Sequence, residues 1–113
     1  MTTTHINNDF LNDLAEVLED DFPMIIESFI EHSAKILTSI PESLIHEDIK
    51  TFTLKIHSLK GSCRNVGAEH LAELCKEIEA LVKNGQKDKV DPSLTEVREE
   101  FEVVSEMLLA YQQ

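Results

Sequence analysis

The sequence predicts an all-α protein, an up-and-down antiparallel four-helix bundle with an additional short N-terminal helix. Glycine and proline are scarce, with three of each in 113 residues, and all but Gly61 lie where an element would end. Apolar residues recur at alternating spacings of three and four, which is the periodicity of amphipathic helices. Short polar connections join these segments and favour antiparallel neighbours. At this length the chain is expected to form one domain over residues 1–113.

The N-terminal half supplies two helices. Asn7 or Asn8 can cap the first, which is short enough to serve as a lid on one end of the bundle. Pro23 suits the first turn of the second helix, and Pro41 is expected to stop it. The five helices are expected at about residues 8–19, 22–40, 47–65, 68–84 and 92–112.

The other three helices have recognisable ends. Glu47 and Asp48 favour the positive end of the helix dipole in the first turn of the third helix, and the Asn-Val-Gly turn at residues 65–67 ends it. Because this turn is so tight, the third and fourth helices are expected to form an antiparallel hairpin. Asn84-Gly85 closes the fourth helix, and Asp91-Pro92 offers a cap and a first residue for the last.

Composition and charge exclude several classes of protein. A formal net charge of −12 argues against binding to nucleic acid and to anionic membranes, since both need a broad basic surface. No signal peptide and no membrane-length apolar run is visible, so a cytoplasmic location is expected. Cys63 and Cys75 are then expected to be reduced, buried thiols. The chain has no metal-ligand pattern and no phosphate-cradling glycine loop for ATP.

Residues 49–68 depart from an ordinary structural helix. Their apolar stripe faces a core, and at about 100° per residue His57 lies well over 90° from the centre of that stripe. A glycine in mid-helix, Gly61, costs roughly 1 kcal/mol against alanine. The segment also carries four cations and no acid in this acidic chain: Lys50, Lys55, Lys60 and Arg64. These features single out His57 as a solvent-facing, chemically active histidine.

The neighbours of His57 suit transfer of a phosphoryl group. The Lys60 ammonium disfavours a charged imidazolium, which leaves a nucleophilic neutral ring, and it would pair with the phosphate on arrival. Gly61 lies one turn beyond the histidine, so its missing side chain gives a bulky partner clearance. Alternatively, Gly61 allows two helices to pack closely, a reading that requires it to be buried.

The motif formed by residues 57–62 (HSLKGS) with Gly67-Ala68 resembles the HxLKGS…GA signature of histidine-phosphotransfer (HPt) domains. The resemblance implies a four-helix bundle that shuttles a phosphoryl group between aspartates of receiver domains, with His57 phosphorylated and Lys60 steadying the phosphate. The receivers would belong to a hybrid sensor kinase and a response regulator, and any divalent cation would sit on the receiver. Several relatives have glutamine where this chain has Glu79, and because a carboxylate would repel a phosphate, Glu79 is left out of the predicted site.

Docking is expected around the histidine. Leu54 offers an exposed apolar contact beside it. The four cations of residues 49–68, in an otherwise acidic chain, would attract a receiver whose active site is built from carboxylates. The predicted clearance and docking residues are Gly61, Arg64, Leu54, Lys50 and Thr53.

Two other functions stay open on the sequence. The chain could be an adaptor or regulator that binds a receiver or kinase domain through the same face without being phosphorylated, or a purely structural acidic bundle. Whether it counts as an enzyme is uncertain, since a phosphoryl carrier has no ATP site of its own. A monomer is expected. The other histidines, His5, His32, His46 and His70, are interpreted as ordinary polar residues.

Overall fold

The computed structural model describes residues 4–45 and 48–111, without the side chains of residues 42–45, and this part of the chain is helical with no strand. Five α-helices follow one another, joined at two points by short 3-10 turns at Glu19–Asp21 and Lys87–Lys89. The helices are α1 (Asn8–Leu18), α2 (Phe22–Ile45), α3 (Ile49–Asn65), α4 (Glu69–Lys83) and α5 (Val90–Tyr111). The predicted all-α fold class is confirmed.

Helices α2 to α5 form the bundle. Each packs against its neighbour in sequence, and α5 closes the ring by contacting α2, as in an up-and-down bundle. The core consists of apolar side chains from every helix, and fully burying each of them contributes roughly 1.5–3 kcal/mol. Completely buried members include Ile26, Ile40, Phe52, Ile56, Leu59, Leu71, Ile78, Val97, Val104 and Leu108.

Helix α1 lies across the end of the bundle where α3 turns into α4. Asn7 caps α1 by accepting a hydrogen bond from the Phe10 amide at 3.0 Å, and its own amide donates to the Gly67 carbonyl at 2.8 Å. The Tyr111 hydroxyl at the end of α5 donates to Asn12 Oδ1 at 2.6 Å. These contacts attach α1 to the turn between α3 and α4 and to the end of α5.

The prediction that Pro41 stops α2 is wrong, because the helix continues through it to Ile45. Proline has no N–H, so the carbonyl of Leu37, four residues earlier, loses its helical donor. Arg98 on α5 compensates: its Nη2 lies 3.4 Å from the Leu37 carbonyl oxygen. A tertiary contact therefore supplies the hydrogen bond that the proline removes.

The starts of α3 and α5 also differ from the predicted ones. Asp48 lies outside α3 as its N-cap, accepting from the Thr51 amide at 3.1 Å and from the Thr51 hydroxyl at 2.6 Å. The hydrogen bond from the Thr51 side chain is the main cause that lowers the pKa of Asp48. Helix α5 begins at Val90, since the preceding 3-10 turn runs directly into it, and Pro92 occupies its first turn. Glu47, His46 and residue 112 lie outside the described residues.

The predicted hairpin of α3 and α4 turns at Gly67, whose φ of 76° falls in the left-handed region. The Ala68 amide donates to the Cys63 carbonyl at 2.9 Å and closes the turn. Cys63 and Cys75 face each other across the two helices as buried free thiols, as predicted. The hydrogen bond with Cys75, together with burial, raises the pKa of the Cys63 thiol. The hairpin thereby fixes which face of α4 lies beside the histidine-bearing helix.

Candidate functional site

His57 projects from the outer face of α3. Its side chain is 68% exposed, whereas Phe52, Ile56 and Leu59 on the same helix are completely buried. The buried stripe holds the helix against the bundle and turns the imidazole toward solvent. The exposure predicted from the helical wheel is therefore present.

A carboxylate from α4 links the histidine and the lysine. Lys60 Nζ lies 2.6 Å from Glu79 Oε1, and His57 Nδ1 lies 3.5 Å from Glu79 Oε2. The Lys60 and Glu79 side chains are only 15% and 23% exposed, so the ion pair is shielded from water more than an ordinary surface pair. Since Nδ1 faces the carboxylate, Nε2 is the ring nitrogen that this contact leaves for chemistry.

The charge state of Glu79 follows from these contacts. Burial by itself raises the pKa of the Glu79 carboxyl, but the hydrogen bond and charge of Lys60, followed by those of His57, outweigh burial and lower the pKa below its usual value. Glu79 is consequently an anion at neutral pH. The ring thus lies beside a paired cation and anion, which differs from the acid-free surroundings expected from residues 49–68.

Glu79 was left out of the predicted site, and the structure places its carboxylate against both Lys60 and His57. The prediction considered a carboxylate facing a phosphate and did not include the ion pair between Glu79 and Lys60. Glu79 follows the buried Ile78 and lies at the margin of the inner face of α4. That marginal position is the signal that sequence reasoning had available, but the helix rotation that aims it at α3 is a property of packing.

Gly61 is exposed, and a Cβ atom built on it would meet no atom within 4 Å. Close packing of two helices therefore does not explain this glycine. Its missing side chain leaves open surface one turn from His57, as the clearance interpretation requires.

Leu54 and Thr53 lie one turn before the histidine. Leu54 is 61% exposed and offers an apolar side chain at the surface. Thr53 is half-buried and lines a groove between α3 and α4 whose other wall includes Glu79 and Lys83. The two residues thus border the site on different sides.

The more distant cations flank the histidine and do not touch it. Lys50 and Arg64 are both exposed, and each is seven residues from His57, about 10 Å along the helix axis. Their influence on the ring is that of a long-range field, which salt screens. Lys60, by contrast, is close enough to the site to pair with Glu79.

On its other side the site borders α2. His32 Nε2 lies 3.3 Å from the Ser58 hydroxyl, in the position next to His57. His32 also lines a groove between α2 and α3 together with Ile25, Ser28, Phe29, Ser62 and Asn65. Sequence reasoning gave His32 no role, since nothing local connects it to α3.

Two structural features bear on the class of protein. Within the described residues, no group of three or more His, Cys, Asp or Glu side chains has a geometry that could hold a metal ion. None of the described helices is sufficiently long and apolar to span a bilayer.

Comparisons with known proteins identify the family of this chain. Residues 24–107 match the family model described as Hpt domain. The chain is 27% identical over 106 residues to the phosphorelay intermediate protein rdeA of Dictyostelium discoideum, covering 94% of this chain and 42% of that protein. It is 26% identical over 82 residues to the signal transduction histidine-protein kinase BarA of Escherichia coli K12, covering 72% and 9%. The chain thus spans less than half the length of the curated relatives it matches.

Solved structures show the same architecture. The crystal structure of histidine-containing phosphotransfer protein B from Pseudomonas aeruginosa PAO1 superposes with a TM-score of 0.92 at 28% identity, covering 99% of this chain and 97% of that one. A putative histidine-containing phosphotransfer protein from rice shares the fold, with a TM-score of 0.82 at 19% identity and coverage of 96% and 86%. The matched residues 24–107 make up most of the chain and include α3 and α4, which carry His57, Lys60 and Glu79. The chain therefore belongs to the Hpt domain family.

Proposed function

We propose that this chain is a phosphocarrier of a multistep phosphorelay. His57 accepts a phosphoryl group from the phosphoaspartate of one receiver domain and passes it to the aspartate of a response regulator. The observation that carries the proposal is the exposed imidazole whose Nδ1 faces a carboxylate held by Lys60, beside the open surface at Gly61. Membership of the Hpt domain family supports it.

The geometry suits attack by Nε2. As the nitrogen–phosphorus bond forms, the bond between phosphorus and the donor aspartate oxygen breaks, and the aspartate departs as a carboxylate. In such a loose transition state charge spreads over the phosphoryl oxygens, so the contribution of this chain is position and electrostatics. Lys60, which shares the Glu79 carboxylate with the ring, is the cation that would neutralise the incoming charge.

The partners we propose are the receiver domains of a hybrid sensor kinase and of a response regulator. Leu54 and Thr53 would contact the receiver around the histidine, Gly61 would give it clearance, and Lys50 and Arg64 would attract its acidic active site. The divalent cation would come with the receiver. The carrier would act as a cytoplasmic monomer with no ATP site of its own, and nucleic acid and membranes are not among the proposed partners.

Transfer from a phosphorylated receiver tests the proposal. The wild-type chain should gain an acid-labile, base-stable label, and His57→Gln should gain none while keeping its helical circular dichroism. His32→Gln, which changes another exposed histidine bordering the site, is the matched control and should still be labelled. Label retained in His57→Gln would refute the assignment. Binding of the receiver without any label on the wild type would indicate the adaptor function instead.

A further inference from the structure

Glu79 places a negative charge against Nδ1 of the ring whose Nε2 would carry the phosphoryl group. We infer that Glu79 determines how readily His57 gives up its phosphoryl group, making the carrier a short-lived store that favours onward transfer. The inference rests on the proposed function, because it assigns a role within the same site. The inference goes beyond the proposed function because it assigns to Glu79 the control of the lifetime of phosphohistidine at His57.

The first argument concerns competition for one cation. Lys60 is already paired with Glu79 at 2.6 Å in the unphosphorylated protein. A phosphoryl group on His57 would draw on the same ammonium, so the two anions compete for Lys60. Lys83, four residues further along α4, is exposed and lines the same groove as Glu79, but it is not among the groups that lower the pKa of Glu79. The phosphoryl group therefore has to compete with Glu79 for Lys60, whereas a neutral residue at position 79 would leave this ammonium to the phosphate alone.

The second argument concerns the proton on Nδ1. When Nε2 of a neutral imidazole takes the phosphoryl group, the ring keeps its Nδ1 proton and becomes positively charged. When the nitrogen–phosphorus bond breaks during onward transfer, the bonding electrons return to Nε2 and a neutral imidazole departs. The acceptor carboxylate forms the new oxygen–phosphorus bond, so no other proton or reactant is required. Glu79 Oε2, 3.5 Å from Nδ1, favours retention of that proton and so keeps the ring a good leaving group.

Both effects act in the same direction. Sharing Lys60 makes the phosphoryl group less stable on His57, and holding the Nδ1 proton eases its departure. Glu79 is a positioning residue in this scheme, since it acts through Lys60 and through the ring. A glutamine at this position would keep the shape and a hydrogen-bonding oxygen but remove the charge, leaving Lys60 free to pair with the phosphate.

The test compares Glu79→Gln with Glu77→Gln. Glu77 is an exposed acid two residues away, on the opposite side of α4, so its variant has the same change in net charge. Each protein is phosphorylated chemically with phosphoramidate, and the decay of phosphohistidine is followed by phosphorus NMR in buffer and after addition of an unphosphorylated receiver. Nitrogen-15 NMR of His57 before phosphorylation reports which ring nitrogen carries the proton.

We expect Glu79→Gln to lengthen the phosphohistidine lifetime about threefold to tenfold, as for loss of one partly screened charge, with Glu77→Gln unchanged. The wild-type ring should carry its proton on Nδ1, and that preference should weaken in Glu79→Gln. An equal or shorter lifetime in Glu79→Gln, an effect of the same size in Glu77→Gln, or wild type that phosphoramidate does not phosphorylate would overturn the inference. If phosphoramidate labels His57 but no receiver donates to it, the proposed function fails and the lifetime comparison still decides the role of Glu79.

Discussion

Lys60 and Glu79 form an ion pair of 2.6 Å across the interface of α3 and α4. This ion pair affects both the chemistry at His57 and the stability of the folded chain. The side chains are less than a quarter exposed, so the pair joins the two helices more firmly than an exposed surface pair would.

The first prediction concerns stability against pH. Because the pKa of Glu79 is lowered in the folded chain from a usual value of 4.5, its contribution is fully present above that value and is lost as pH falls below it. Wild type should exceed Glu79→Gln by about 1 kcal/mol in free energy of unfolding at pH 7. Urea unfolding at pH 7, 5, 4 and 3 should show this difference shrinking below pH 4.5. A difference that stays constant down to pH 3 would contradict the assignment of the ion pair.

The second prediction separates stability from docking at Gly61. Since a Cβ there meets no atom within 4 Å, Gly61→Ala should stabilise the helix by about 0.5–1 kcal/mol and leave transfer largely intact. Gly61→Phe should also fold, but its ring would overhang the histidine and slow transfer from a receiver at least tenfold. Urea unfolding and single-turnover transfer measure the two effects. Normal transfer by Gly61→Phe would disprove the clearance interpretation.

The third prediction concerns Gly67. A Cβ at this position would lie 2.9 Å from Phe10 Cδ1, and the φ of 76° disfavours any L side chain. Gly67→Ala should lose about 2 kcal/mol of stability, of which roughly 1–2 kcal/mol is backbone strain. Gly85→Ala is the matched control, because Gly85 has a φ of 73° but open space around it.

The two glycine variants together isolate the contact with α1. Gly67→Ala should be less stable than Gly85→Ala in thermal unfolding, and Phe10→Ala should narrow the gap by removing the crowded ring. Equal losses at both glycines would mean that the attachment of α1 to the turn adds no constraint there.

The fourth prediction concerns Arg98. Arg98→Met should cost about 1 kcal/mol, because the Leu37 carbonyl then lacks the donor that replaces the one missing at Pro41. In a Pro41→Ala background the helix regains its own N–H, so the same change should cost less. A double-mutant cycle in urea measures this coupling. Additive losses would show that Arg98 contributes in some other way.

Much of the fold and part of the site could be predicted from sequence, since both depend on local periodicity. The spacing of Phe52, Ile56 and Leu59 fixes which face of α3 is buried, and hence that His57 and Gly61 are exposed. The cap at Asn7 and the turn at Gly67 are likewise local, because they depend on hydrogen bonds within a few residues.

The sequence by itself determined the helices, the outward histidine and the nearby lysine. Only the tertiary structure decided that Glu79 reaches Lys60 and His57, and that Arg98 allows α2 to pass through Pro41. The physical reason is the same in both cases: these contacts join different helices, and they depend on how packed helices are rotated and staggered. An apolar stripe indicates which side of a helix faces inward, but it leaves open which residue at its margin meets which partner.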